Sequence, residues 1–173
     1  MVIKTERLVL RGARTEDAGP LFEVFGQAEV MQYWSSAPHV MVQETEALVA
    51  GIRQIADQDR YFVIDHEGRA VGTAGFWEGN EIGFILHAAY WRQGYGAEIL
   101  GALIRHGFDV LGFDSIIADV DPRNVASIGL LTKLGFVETG RAERTIQIGD
   151  DWFDSIYFAL TRGAASGAEN PPE

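Results

Sequence analysis

The sequence predicts an α+β fold in which helices flank a mixed, mostly antiparallel sheet of about six to seven strands. One observation is the stretch YFVIDHEGRAVGTAGFWEGNEIGFIL, residues 61–86, where turn-rich HEG and EGN separate three β-branched and aromatic runs. Such a stretch indicates an antiparallel meander. The other observation is the order of the remaining patterns, because helices precede the meander, and a helix, a strand, a helix and two strands follow it.

The segments before the meander predict one strand and two helices. VIKTERLVLRGA, residues 2–13, alternates as a strand does, and TEDAGPLFEVFG, residues 15–26, opens with helix-capping residues. VMQYWSSAPH, residues 30–39, predicts a loop with exposed aromatic side chains. VQETEALVAGIRQIADQ, residues 42–58, predicts a helix because its apolar residues recur at helical spacing: Ala47, Leu48, Ile52 and Ile55.

The segments after the meander complete the domain. The helix that follows it carries apolar residues on one side from Tyr95 to Phe108, and FDSIIADV is a further strand. NVASIGLLTKLGF is a helix that Lys133 and Gly135 terminate. Two last strands flank Gly149-Asp150. Residues 1–162 therefore form a single domain, and the small, polar residues 163–173 predict a disordered tail.

Composition narrows the classes of function. The 25 acidic and 14 basic residues give a formal charge of −11, which disfavours nucleic acid partners and favours a cationic substrate. The absence of cysteine excludes disulfides, thiolate metal sites and a cysteine nucleophile. The four histidines lack the i, i+4 spacing of a zinc site, so no metal is expected.

Hydropathy patterning argues against a membrane partner. The apolar runs are only a few residues long, and the charged opening MVIKTERLVLRGAR does not resemble a signal peptide. The sequence therefore predicts a cytoplasmic protein. The last strands and the exposed aromatic residues leave homodimerisation open.

The stretch YWRQGYGAEIL places two glycines at the start of an amphipathic helix. Backbone N–H groups of residues 93–97 are expected to point outward at the positive end of this helix, which makes an anion site. The alternative is that Gly94 and Gly96 only ease a tight connection from strand to helix. A P-loop is excluded because Ala97-Glu98 follows Gly96, and a dinucleotide fingerprint is excluded because Ile99 stands where a small residue is needed.

Two segments together carry a resemblance to a known family. EIGFILHAAYWRQGYGAEIL, followed about thirty residues later by DPRNVASIGLLTKLGF, resembles the GNAT superfamily of acetyl-CoA-dependent N-acetyltransferases, and within it the RimJ/RimL-like branch. The resemblance extends to the TERLVLR opening and so covers residues 1–162. It implies a GNAT-like fold whose fourth and fifth strands splay apart.

The resemblance also implies where acetyl-CoA binds. The backbone N–H groups from Gln93 to Ala97 are expected to hold the pyrophosphate, and a splayed strand and a helix start are expected to hold the pantetheine arm. Arg92 and Gln93 replace the usual Gly-Lys of the branch, and Gly96 replaces Ala. The implied cofactor-binding residues are Ile85, Leu86, His87, Arg92, Gln93, Gly94, Tyr95, Gly96, Ala97, Asn124 and Ser127.

The implied reaction is direct attack of a neutral amine on a thioester, without an acyl-enzyme. Ser127 is the expected acid, because Leu131 occupies the position where many superfamily members carry the acidic tyrosine. Glu81 is the expected base, with a water held by strand carbonyls as an alternative. His87 is more often a cofactor-lining residue than a catalytic one in this branch.

The expected function is transfer of an acetyl group to a primary amine, either a peptide N-terminus or an amine-bearing small molecule. Two alternatives remain open from the sequence. One is a catalytically weak, coenzyme A-binding regulatory module of the same fold, which Leu131 and the uncertain base favour. The other is a structural or interaction domain in which Gly94 and Gly96 are incidental.

Overall fold

The computed structural model describes residues 1–56 and 59–165 and contains a first, five-stranded antiparallel sheet. Its strands lie in chain order: β1 (Ile3–Lys4), β2 (Val9–Arg11), β3 (Tyr61–His66), β4 (Arg69–Phe76) and β5 (Ile82–Leu86). The predicted meander, β3 to β5, is confirmed. The predicted first strand is divided into β1 and β2 because Thr5 N–H bonds to the Leu8 carbonyl at 3.0 Å and turns the chain.

A second sheet contains three antiparallel strands in the order β6 (Ser115–Val120), β8 (Asp151–Thr161) and β7 (Val137–Ile148). One parallel bridge, between Glu81 and Ile117, joins β6 to β5, and Ile117 N–H donates to the Asn80 carbonyl at 3.1 Å. Beyond this bridge the two strands separate. The opening between them is called the splay below, and it confirms the predicted separation of the two strands.

Helices cover both faces of the sheets. α1 (Ala18–Phe25), α2 (Ala28–Met31) and α3 (Val42–Ala56) precede β3, whereas α4 (Tyr95–Asp109) lies between β5 and β6 and α5 (Val125–Lys133) between β6 and β7. A last turn, α6 (Arg162–Ala165), follows β8. Of the tail predicted to be disordered, residues 166–173 lie outside the described residues. No helix in the described ranges is long and apolar enough to cross a lipid bilayer.

Two apolar clusters form the core, one on each face of the first sheet. Fully buried Ile99 and Leu103 of α4 pack with Phe62 of β3 in the larger cluster. Leu21 of α1 and Ile85 of β5 belong to the smaller cluster. Alternation along β5 therefore directs Ile82, Phe84 and Leu86 to the α4 face, and Gly83 and Ile85 to the α1 and α3 face.

A buried ion triad connects the start of α1 to the sheet. The Arg11 guanidinium is bidentate to Asp17, with both N···O distances 2.8 Å, and its Nε lies 2.7 Å from Asp65 Oδ2. All three residues are buried. Hydrogen bonds from Arg11 to Asp17, together with the charges of both aspartates, outweigh desolvation and raise the already high pKa of Arg11. Arg11 is therefore a structural cation.

Candidate active site

Along β5, the backbone N–H and C=O groups that face the splay are those of Phe84 and Leu86. Residues along an antiparallel strand direct their N–H and C=O groups alternately to either side. His87 N–H donates to the Val71 carbonyl at 2.9 Å, so His87 and Ile85 are turned toward β4. Ile85, Leu86 and His87 were all implied to bind the cofactor. Of these three, Leu86 directs its backbone N–H and C=O groups into the splay, and the other two direct theirs toward β4.

Trp91 fixes the end of this strand. Its indole Nε1–H donates to the Leu86 carbonyl at 2.8 Å. Because the carbonyl and the N–H of one strand residue point to the same side, Leu86 N–H also faces the splay. The indole thus binds the Leu86 carbonyl and leaves the Leu86 N–H for another partner.

The start of α4 presents a row of backbone donors. Its first helical hydrogen bond runs from Glu98 N–H to the Gly94 carbonyl at 3.2 Å. Within residues 1–56 and 59–165, no acceptor meets the N–H groups of residues 93–97. Unpaired N–H groups at the positive end of a 15-residue helix attract an anion. The outward-facing donors predicted from the sequence are thus present.

Glycine is favoured at positions 94 and 96 of this corner for different physical reasons. Gly94 is the N-cap and has φ +84°, a left-handed conformation that strains residues with a Cβ. Gly96 lies in the helix, where a Cβ would stand 3.0 Å from Leu130 Cδ2 and 3.3 Å from Phe84 Cζ. Gly94 therefore allows the turn, and Gly96 allows α4 to pack closely against α5 and β5.

Residues 91–94, called the glycine loop below, carry an exposed cation. Arg92 is exposed and has φ +58°, which turns the chain immediately before the free donors. The side-chain amide of Gln93 donates to the Ala89 carbonyl at 2.7 Å and so braces the loop. The guanidinium of Arg92 is available to pair with an anion at the start of α4.

His87 has partners on both ring nitrogens. Nδ1 accepts the Ala89 N–H at 3.1 Å, so in the neutral ring the proton lies on Nε2. Nε2 lies 2.8 Å from Gln27 Nε2, and a flip of this amide lets Gln27 Oε1, which is otherwise buried without a partner in the described residues, accept that proton. This arrangement fixes His87 against the segment that precedes α2 and gives it a positioning role rather than that of a free base.

The start of α5 borders the same region. Asn124 is the N-cap, and its Oδ1 accepts the Ser127 N–H at 3.1 Å. This leaves the Asn124 amide NH₂ and the Ser127 hydroxyl, both on half-buried residues, as polar groups at the helix start. Leu131 is only 3 % exposed and packs in the larger core cluster, so this position provides no acidic hydroxyl.

Two carboxylates approach each other on the α1 and α3 face of the splay. Glu81 is opposite Ile117 in the bridge, and Asp119 follows two residues later on the same face of β6. Asp119 Oδ1 is buried without a hydrogen-bond partner in the described residues. Glu81 keeps more than a third of its surface exposed, but protein surrounds part of its carboxylate.

The electrostatics of this pair favour proton uptake. Desolvation, and then the charges of Asp119 and Glu78, raise the pKa of Glu81 above its ordinary value. Desolvation also raises the pKa of Asp119, against the opposing effect of the Ser155 hydroxyl and the Val120 N–H. A carboxylate with a raised pKa is a stronger base, as general-base catalysis near neutral pH requires.

Aromatic and acidic side chains surround the outer part of this face. Trp34 approaches the backbone of Gly83, where a Cβ would lie 3.9 Å from the indole. Arg123 pairs with Asp121 at 2.6 Å and lies over the Phe153 ring at 4.7 Å. An open groove of about 400 Å³ continues from here, lined by Asp121, Pro122, Arg123, Asp151, Trp152, Phe153 and Asp154. Three aspartates against one arginine in this lining give the groove an excess of negative charge.

Three side chains of the site were not predicted from the sequence: Arg7, Trp91 and Asp119. Arg7 lies in the quoted TERLVLR opening and Trp91 in the glycine-loop stretch, but neither pattern indicates where the side chain binds. Asp119 is a charged residue within an otherwise mostly apolar strand, and this pattern could have indicated a functional carboxylate. Within the described ranges, no cluster of His, Asp and Glu could hold a metal ion.

Comparisons with known proteins agree with this geometry. A profile described as acetyltransferase (GNAT) domain matches residues 7–137. The uncharacterized N-acetyltransferase p20 of Bacillus licheniformis is 33 % identical, over 94 % of this chain and 97 % of that protein. The ribosomal protein uS5-alanine N-acetyltransferase of Escherichia coli is 27 % identical, over 92 % of this chain and 90 % of that protein.

The fold also matches a solved structure. RimL, a ribosomal L7/L12 alpha-N-protein acetyltransferase in complex with coenzyme A, superposes with a TM-score of 0.81 at 18 % identity, over 95 % of this chain and 99 % of that one. This likeness shows the α+β fold with two antiparallel sheets, and the profile match and the p20 relative show the family. The chain therefore belongs to the GNAT family of acetyltransferases.

Proposed function

We propose that this protein transfers an acetyl group from acetyl-CoA directly to a primary amine, with a peptide N-terminus as the favoured acceptor. The observation that carries the proposal is the row of unpaired N–H groups of residues 93–97, which lies beside the splay. Two of the similar proteins support it, because one is named a ribosomal protein uS5-alanine N-acetyltransferase and the other, an alpha-N-protein acetyltransferase, was solved with coenzyme A.

Residues on both sides of the splay would hold the cosubstrate. The N–H groups of residues 93–97 and the Arg92 guanidinium fit the pyrophosphate, since charge-assisted hydrogen bonds to phosphate oxygens are strong. The free edge of β5 and the Asn124 amide fit the pantetheine arm. Acetyl-CoA supplies the activated thioester, and the remaining chemistry belongs to side chains and backbone of this chain.

Three groups have suitable chemistry for the transfer. Glu81 accepts a proton from the attacking amine, and Asp119 supports this by raising the pKa of Glu81. Leu86 N–H donates to the oxygen on which negative charge develops. The new C–N bond replaces the C–S bond, and the Ser127 hydroxyl donates a proton to the departing sulfur and regains one from water.

An N-terminal amine suits this site better than a lysine side chain. An α-amine with a pKa of about 7.7–8.0 costs roughly 1–1.4 kcal/mol to deprotonate at pH 7, whereas a lysine near 10.4 costs roughly 4.6 kcal/mol. A single carboxylate base is therefore sufficient to deprotonate the α-amine. The acidic groove beyond Arg123 extends away from the splay, and we infer that it accommodates a peptide that follows the amine.

The proposal is tested with radiolabelled acetyl-CoA and a panel of amines: a peptide beginning with alanine, spermidine and Nα-blocked lysine. We expect the peptide to be acetylated faster than the other two amines. Binding of coenzyme A, followed by thermal shift, is measured in parallel. Binding without turnover on any amine would favour a regulatory module, and neither binding nor turnover would refute the proposal.

Substitution of Glu81 tests the base. Glu81→Gln should lower kcat/KM roughly 10²–10⁴-fold, the usual contribution of a general base, with little change in coenzyme A affinity. Steady-state rates and titration calorimetry measure the two quantities. Glu46→Gln, at an exposed carboxylate of α3 that does not act on the pKa of Glu81, is the matched control and should retain activity. Equal rates for Glu81→Gln and the unmodified protein would mean that a water molecule, and not Glu81, accepts the proton of the amine.

The pH profile tests the role of Asp119. Below the pKa of Glu81 the base is protonated, so kcat/KM should fall as pH decreases through that value. Asp119→Asn removes a charge that raises this pKa, so the acidic limb of the profile should move to lower pH. A limb that stays in place, or moves to higher pH, would contradict the coupling of the two carboxylates.

Loss of the Ser127 hydroxyl should have a modest effect. A thiol with a pKa of about 8.5 leaves without protonation at a useful rate, so Ser127→Ala should lower kcat by about tenfold or less. A Leu131→Tyr substitution should not compensate, because position 131 is buried in the core. Single-turnover rates for the two variants measure this. A loss above 10³-fold in Ser127→Ala would make the hydroxyl essential.

A further inference from the structure

Arg7 connects the turn between β1 and β2 to the start of α4, which is about 90 residues distant in the chain. Its Nε donates to Glu98 Oε2 at 2.8 Å, and its backbone N–H donates to Glu98 Oε1 at 2.7 Å. The Thr5 hydroxyl donates to the same Glu98 Oε1 at 2.5 Å. Glu98 belongs to the first turn of α4, so this network fixes the helix start to the N-terminal segment.

The same guanidinium contacts the glycine loop. Nη1 of Arg7 donates to the Gln93 carbonyl at 2.8 Å, and the guanidinium carbon lies 4.1 Å from the centre of the Tyr95 ring. A Cβ on Gly94 would stand 3.3 Å from Arg7 Nη2. Arg7 thus contacts Gln93 and Tyr95 and lies beside Gly94, at the corner that carries the N–H donors.

The contact with the Gln93 carbonyl determines the direction of a donor. The Gln93 carbonyl and the Gly94 N–H belong to one planar, trans peptide unit, so they point in opposite directions. Because Arg7 holds the carbonyl, the Gly94 N–H points away from Arg7 and toward solvent. Free rotation of this peptide about its flanking bonds would otherwise redirect the donor, since Gly94 permits many conformations.

Glu98 remains charged and completes the arrangement. Although desolvation opposes ionisation, hydrogen bonds from the Thr5 hydroxyl and from the Arg7 backbone and side chain lower the pKa of Glu98. The carboxylate therefore neutralises Arg7 and restricts its side chain to one geometry. Arg7 then acts on the loop through fixed hydrogen bonds.

We propose that Arg7 is a positioning residue that orients the peptide between Gln93 and Gly94, so that its N–H can bind the pyrophosphate of acetyl-CoA. This inference rests on the proposed function of the same site. Arg7 does not itself contact the reacting atoms, so its loss should weaken cosubstrate binding while the chemical step at saturation is retained.

Arg7→Ala tests the inference. Removal of the side chain should raise KM for acetyl-CoA and the Kd of coenzyme A by roughly tenfold, the effect of one misdirected hydrogen bond to a charged group, with kcat within about twofold. Arg7→Lys keeps a donor but lacks the planar fork, and it should give an intermediate value. Glu98→Gln should shift KM in the same direction as Arg7→Ala.

Arg53→Ala is the matched control. Arg53 is an exposed arginine of α3 whose side chain, among the described residues, donates to Thr15 at 3.1 Å, far from the glycine loop in the fold, so its removal should leave KM and Kd unchanged. Melting temperatures of all variants separate folding from binding. A purely structural role would lower the melting temperature of Arg7→Ala without changing Kd, and that result would overturn the inference. Failure of the unmodified protein to bind coenzyme A would instead refute the proposed function.

Discussion

Arg11→Met should be the most destabilising single substitution, with a loss of roughly 3–5 kcal/mol in the free energy of unfolding. The guanidinium is the shared partner of Asp17 and Asp65, and all three residues are buried. Its removal leaves two buried carboxylates without their counter-ion, and a buried uncompensated charge is costly. Since domains are stable by about 5–15 kcal/mol, this loss is a large fraction of the total.

Urea denaturation followed by circular dichroism measures this loss. Arg141→Ala is the matched control, because Arg141 makes the same bidentate contact with Glu138, at 2.7 and 2.9 Å, on the protein surface. Its removal should leave the unfolding midpoint nearly unchanged. If the two variants unfold at the same urea concentration, burial of the Arg11 triad does not stabilise the fold as argued.

Gly94→Ala should reduce affinity for acetyl-CoA by about 10–100-fold, the equivalent of one or two charge-assisted hydrogen bonds. At φ +84° an added Cβ is strained, and it would also stand 3.3 Å from Arg7 Nη2. The loop can relieve this strain by moving to negative φ. Such a change redirects the peptide planes on both sides of Gly94 and therefore the donors at the start of α4.

Gly68→Ala separates the effect on binding from the strain itself. Gly68 has φ +87° in the turn between β3 and β4, so alanine there introduces nearly the same backbone strain away from the glycine loop. Both variants should lose about 1–2 kcal/mol of stability, but only Gly94→Ala should lose affinity in a coenzyme A titration. Equal affinities for the two variants would mean that the glycine loop does not bind the pyrophosphate.

Much of the fold could be predicted from local patterns. The antiparallel meander, the helix that begins near Tyr95 and the helix that begins near Asn124 all depend on residues close in sequence, and the structure confirms them. The number of strands was the weaker part of the prediction. The turn between Thr5 and Leu8 divides the first run, because Leu8 N–H donates to the Thr5 hydroxyl oxygen and Thr5 N–H donates to the Leu8 carbonyl.

The candidate site was predictable only in part. The donors of residues 93–97 follow from a helix start, which is a local feature. Gly96 N–H meets no acceptor in the described residues, as expected of a helix start, but a Cβ at this position would meet the side chains of Leu130 and Phe84. Its role depends on how closely α4 packs against α5 and β5, and local spacing does not contain that information.

The sequence by itself determined the order of helices and strands and the position of a helix start with outward-facing N–H groups, because hydrophobic period, caps and glycines act over a few residues. The tertiary structure alone decided that Arg7 holds the Gln93 carbonyl, that Asp119 lies near Glu81, and that His87 pairs with Gln27. These contacts join residues that are tens of positions apart. They form only when packed helices and separated strands fix the distance and direction of each side chain.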